Sequence, residues 1–169
     1  RFLLARPERV HSRAQLLDNG PVWLTLWLDS ADTVLALEPD HAKLAALGQK
    51  IGVVGVHQAR SASQLIAKSS REARAFAAPA GRGEAPLIEV RAFAAPVGVN
   101  EDPVTGSGNA CIAAFLRANG LLPEGDASYR ASQGREVGRD GYLDMTVTAD
   151  GRILIGGHAV TCIDGTIRL

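Results

Sequence analysis

Several things are scarce in this sequence, and each scarcity closes off a class of function. There are two cysteines, Cys111 and Cys162, with no CxxC spacing, so neither a disulfide framework nor a cysteine-based zinc site is specified. No apolar run approaches the roughly 18 to 20 residues that a membrane-spanning helix needs. Charge of one sign is missing too. Eighteen Lys and Arg balance eighteen Asp and Glu, at a pI near 7.1, which gives no electrostatic reason to expect DNA, RNA or an anionic membrane as partner. Aromatics reach only 5%, and the first ten residues lack the apolar stretch of a secretory signal. The expected setting is a reducing cytoplasm. His11, His41, His57 and His158 are scattered without HxxxH pairing, so no metal site is expected. No Gly-x-Ser-x-Gly elbow supports a serine hydrolase.

What is present is enough apolar residue, 46% of 169, for a real core. The length suits one domain. The chain begins with Arg1 rather than Met, which reads as a piece of something longer.

Asn19-Gly20-Pro21 introduces a buried strand over Val22–Leu28, on which Trp23 and Trp27 share a face. The β-branched residues of Thr33–Leu37 suggest a short second strand. Asp40 reads as the N-cap of a helix with Leu44 and Leu47 inward, ended by Gly48. Another strand follows at Ile51–Val56, and Ser61–Ser70 reads as loop or short helix. The local repeat Arg74–Gly81 and Arg91–Gly98 flanks a glycine-rich turn and the alternating segment Leu87–Arg91, which suggests a hairpin. Towards the C-terminus, short strands are expected at 128–132, 142–148, 152–155, 158–163 and 166–169. Asp140-Gly141, Asp150-Gly151, Gly156-Gly157 and Asp164-Gly165 punctuate them, a meander signal. The one long helix, Ser107–Asn119, is apolar almost all round and must be wrapped by other structure. Cys111 on that helix and Cys162 on a strand both read as buried structural thiols.

The densest signal is Glu101-Asp102-Pro103-Val104-Thr105-Gly106-Ser107-Gly108, which joins a strand to this helix. Free amides and the macrodipole at a helix start attract a carboxylate or phosphate, and glycines at 106 and 108 permit close approach. Asp102, with Glu101 beside it, is the acid expected to face the same space. The same residues also read as an ordinary junction, with Thr105 or Ser107 as N-cap and Asp102 as turn former. No P-loop and no dinucleotide fingerprint is present.

The Glu101–Ser107 stretch closely resembles the PhzF-like phenazine biosynthesis family. Asp18–Pro21, Val90–Ala94, Gln133-Gly134 with Gly138-Arg139, and Ile155–Val160 match further motifs in the family's order. The resemblance implies an α+β, diaminopimelate epimerase-like fold, a curved and mostly antiparallel sheet wrapped around a central helix. Two such domains enclose a cleft in that family, and only the second is matched. Residues 1–20 are then a linker or remnant of a missing N-terminal domain, and 21–169 a single C-terminal domain. Asp102 and Ser107 would be catalytic, and Thr105, Gly106, Ser107 and Gly108 would contact the substrate.

The activity so implied is cofactor-independent, metal-free proton transfer within a small carboxylic acid, by an isomerase whose catalytic glutamate lies in the missing half. The partner is a carboxylate-bearing small molecule. A second copy or a complementary N-terminal half would cover the open cleft. A catalytically inert ligand-binding or dimerisation module is the alternative. Racemisation or epimerisation is a third reading, disfavoured because Thr105 stands where the related epimerases carry a catalytic cysteine.

Overall fold

The computed structural model describes residues 10–57, 87–122 and 124–168. The expected loop at 61–70 and the first repeat copy, 74–81, lie outside the described residues.

Among the described residues eight strands form one sheet: β1 (Val10–Asp18), β2 (Val22–Leu28), β3 (Lys50–Val56), β4 (Ile88–Ala94), β5 (Val99–Asp102), β6 (Ala127–Gln133), β7 (Gly141–Val147) and β8 (Ile153–Gly157). Their order is β1-β2-β3-β4-β6-β7-β8, with β5 paired to β4 off that path. Ladders are antiparallel except β2–β3 and β4–β6. Those two parallel pairs need crossovers, and the helices supply them. α1 (Ala31–Leu35) and α2 (His41–Leu47) lie between β2 and β3; α3 (Gly106–Ala118) lies between β5 and β6.

Alternation along β3 and β4 divides the core. Val54, Ile88 and Val90 face α3, meeting Ile112, Phe115 and Leu116. Ile51, Val53 and Phe93 face the other way, against Val34, Leu37 and Leu44 of the α1–α2 segment. β1 and β8, at opposite ends of the strand order, both contact α3, so the sheet curls around that helix. The expected fold, a curved and mostly antiparallel sheet enclosing a central helix, is what the chain adopts.

Local differences have local causes. Thr33–Leu37 is not a strand: Ser30 Oγ accepts from Thr33 N at 3.1 Å and starts a helical turn that buries Thr33 and Val34. In α2, Asp40 caps as expected and Leu44 is buried, but Leu47 is 46% exposed. β1 lies within the span expected to be a linker or a remnant of an N-terminal domain, so the sheet begins before residue 21. Residues 158–163 and 166–168 form no ladder and are exposed, Val160, Ile163 and Ile167 included. Alternating apolar residues there meet no sheet edge among the described residues, and without a neighbouring strand alternation makes no structure. Cys162, expected to be buried, is exposed in this segment.

Candidate functional site

The site grows out of the connection from β5 into α3. Successive side chains on a strand point to opposite faces, so Glu101 and Asp102 diverge. Glu101 turns inward and receives Arg91 Nε at 2.9 Å and Arg91 Nη2 at 2.7 Å, a bidentate pair shut away from solvent. It therefore takes no part in the open site, contrary to expectation. Asp102 stays half-buried. Its Oδ1 accepts from Val104 N at 3.1 Å and shapes the turn over Pro103, while its backbone carbonyl accepts from Gln133 Nε2 at 2.6 Å.

α3 opens at Thr105, which holds N-cap geometry (φ −104°, ψ 114°) but makes no side-chain capping bond. Ser30 and Asp40 do cap α1 and α2. The first backbone bond of α3 comes from Asn109 N to Thr105 O. Among the described residues, no acceptor meets the N–H groups of Gly106, Ser107 or Gly108. These are the orphan donors of a helix start, where the macrodipole concentrates about half a positive charge.

Ser107 is tied down from the sheet. Trp23 Nε1 donates to its Oγ at 3.1 Å, and Asn19 Nδ2 donates to its carbonyl at 2.9 Å. Indole is a donor only, so the Ser107 hydroxyl proton stays free for another acceptor. Trp23 was legible as a core residue and is one, at 3% exposure, yet its ring edge also orients this hydroxyl.

The glycines differ. Gly106 is exposed with open space where a Cβ would stand. Gly108 is buried, and a Cβ there would come 2.9 Å from Thr105 Cγ2 and 3.6 Å from Trp23 Cε2; its lack of a side chain serves packing. Thr105 also lies inside, at 4% exposure, with its backbone N–H donating to Gln133 Oε1 at 3.3 Å. Gly106 thus stands exposed with Ser107 half-buried next to it, Thr105 and Gly108 lie behind them, and Asp102 is half-buried in the turn that precedes the helix.

Beside Gly106 opens a pocket of about 420 Å³, with Val104, Tyr142 and Ile155 as its apolar wall and Asp140 and His158 as its polar groups. The sequence marked 138–141 and 155–160 as motif segments, but not their convergence here.

Two other groups are set aside by geometry. Cys111 is buried with Sγ towards Leu17 O at 3.7 Å, and burial, followed by the charge of Asp18, raises its thiol pKa. A raised pKa means less thiolate at neutral pH, so the thiol is a poor base or nucleophile. Alkylation of the native chain should therefore modify one thiol quickly, at Cys162, and Cys111 only on unfolding; mass spectrometry after brief iodoacetamide treatment reads this directly. His57 Nε2 lies 3.1 Å from Glu89 Oε2 and 3.2 Å from Ser132 Oγ. A Ser–His–acid relay uses both ring nitrogens, whereas here one nitrogen serves both partners and Ser132 is wholly buried. Among the described residues no cluster of three His, Cys, Asp or Glu side chains could hold a metal, and no helix is long and apolar enough to cross a membrane.

The chain is similar to known proteins in sequence and in fold. The chain is 30% identical over 154 residues to Antisense-enhancing sequence 1 of Schizosaccharomyces pombe, covering 89% of this chain and 45% of that protein. It is 32% identical over 133 residues to YddE of Escherichia coli K12, described as an uncharacterized isomerase, covering 74% and 37%. It thus spans less than half the length of these relatives. Among solved structures it resembles a PhzF-family phenazine biosynthesis protein of Bacillus anthracis, with TM-score 0.62 and 14% identity over 91% of this chain and 48% of that one. A PhzF-family protein of Enterococcus faecalis gives TM-score 0.56 and 20% identity, over 89% and 44%. The family model described as "Phenazine biosynthesis-like protein" matches residues 5–165, and the chain belongs to that family.

Proposed function

We propose that this chain is the anion-binding lobe of an isomerase that moves a proton within a small carboxylic acid, using side chains rather than a cofactor. The observation that carries the reading is the start of α3: three backbone donors without protein acceptors, beside a serine whose hydroxyl proton is free. A substrate carboxylate on Gly106, Ser107 and the Ser107 hydroxyl would have its charge held by fixed dipoles. Negative charge spreading onto it as a neighbouring carbon loses a proton would be stabilised there.

Asp102, half-buried just before α3 with Oδ1 accepting from the Val104 amide, would hold or relay a proton. The pocket wall of Val104, Tyr142 and Ile155 suits the apolar part of a small unsaturated or cyclic acid. The second acid–base group comes from a covering lobe, either a complementary N-terminal half or a second copy, which would also shield that wall. The chain's share of its relatives' length, 45% and 37%, supports this.

Titration of the isotopically labelled chain with a simple carboxylate such as benzoate should shift the amide resonances of Gly106 and Ser107 first. Ser107→Ala should weaken binding about 10-fold or more, the usual worth of a hydrogen bond to a charged group. With the complementary half co-expressed, Asp102→Ala should lower isomerisation by about 10²- to 10⁴-fold. Unmoved amides would remove the site; binding without turnover in the paired chains would assign a ligand-binding role instead.

A further inference from the structure

Gln133 is wholly buried at the end of β6, and its carboxamide is spent on the chain segment that enters α3. Nε2 donates to Asp102 O at 2.6 Å and to Thr105 Oγ1 at 3.3 Å. Oε1 accepts from Thr105 N at 3.3 Å and from Asn109 Nδ2 at 2.8 Å. Asn109 Nδ2 also donates to Thr105 O at 2.8 Å, while its buried Oδ1 has no partner. Such a network is costly to bury unless its bonds are made, and here it converges on one residue, Thr105.

An N-cap threonine ordinarily turns its hydroxyl back to accept from the second or third amide of the helix. In α3 those are Ser107 and Gly108. Thr105 does otherwise: its methyl faces Gly108, where a Cβ would lie 2.9 Å away, and its hydroxyl meets Gln133. A conventional cap on the Ser107 amide would consume one of the donors that the anion-cradle reading needs.

We infer that Gln133 is a positioning residue that holds the Thr105 hydroxyl off its own helix and so keeps the first-turn amides open for a ligand. The inference rests on that reading for its purpose, but its structural content is testable without any ligand.

Hydrogen exchange of the Ser107 and Gly108 amides in the 169-residue chain provides the test. In Thr105→Val, which keeps shape and loses the hydroxyl, exchange at both amides should stay within twofold of the wild type. A tenfold acceleration would show that Thr105 was capping and would overturn the inference. In Gln133→Leu the released hydroxyl should swing onto the helix and slow exchange at Ser107 at least fivefold, and adding Thr105→Val should reverse this. Slowing that persists in the double variant, or its absence in a folded Gln133→Leu, would also overturn it. If Gln133→Leu does not fold, Thr105→Val decides alone.

Titration with inorganic sulfate separates the two claims. Gln133→Leu should raise the dissociation constant at least fivefold and the double variant should restore it. A wild type that ignores both sulfate and benzoate would sink the site reading and leave the exchange result to judge Gln133.

Discussion

Arg91→Met should destabilise the chain by about 3–5 kcal/mol, a fall in Tm of about 6–20 °C for a domain of this size. Arg91 and Glu101 are 5% and 3% exposed at the side chain, and their two parallel bonds satisfy a charge that burial would otherwise penalise heavily. The remaining guanidinium nitrogen, Nη1, donates to Leu37 O at 2.7 Å and ties the α1–α2 connection to the sheet. Truncating Arg91 leaves the Glu101 carboxylate alone in a dry interior and releases that connection at once. Replacing both, as Arg91→Met with Glu101→Leu, removes the orphaned charge and should recover most of the loss, since well-packed apolar residues often match a buried ion pair. Urea unfolding followed by circular dichroism checks both. A single variant that loses less than about 1 kcal/mol would mean that water reaches the pair and that the burial argument is wrong.

The same pair shows how far the sequence could be read. Glu101 and Asp102 are adjacent acids in a motif, and nothing local tells them apart. Once they are placed on a strand, alternation makes one inward and one outward, and the arginine that claims Glu101 sits ten residues earlier on the neighbouring strand β4. The wrapped helix α3 was legible because its apolar residues run all round, and β2 because a turn signal precedes β-branched and aromatic residues.

Thr33–Leu37 misled because β-branched residues describe a strand only when no capping serine stands before them, and Ser30 does. Gln133 was legible as part of a family motif but not as a site residue: before a glycine it looks like turn chemistry, and its partners lie 24 to 31 positions away. The strand expected at 158–163 does not form, because a pattern specifies a strand only where a sheet edge receives it.

Gly134→Ala should prove far more damaging than Gly98→Ala, although both glycines have positive φ, +91° and +85°. At Gly98 a Cβ meets open space, so the cost is the left-handed backbone alone, about 1–2 kcal/mol. At Gly134 a Cβ would stand 2.5 Å from Pro103 O and 3.1 Å from Arg139 Cβ. A backbone carbonyl cannot rotate away as a side chain can, so the 102–105 segment must move, adding about 1–3 kcal/mol of overpacking strain. That segment holds Asp102 and leads into the uncapped start of α3, so the damage should extend beyond stability. Chemical shifts of the Gly106 and Ser107 amides should change in Gly134→Ala and hold in Gly98→Ala, and carboxylate binding should weaken only in the former. Equal losses in the two variants would mean that the turn after β6 does not support the site from below. A Gly134→Ala chain that binds as tightly as wild type would show that the start of α3 keeps its own shape without help from Pro103.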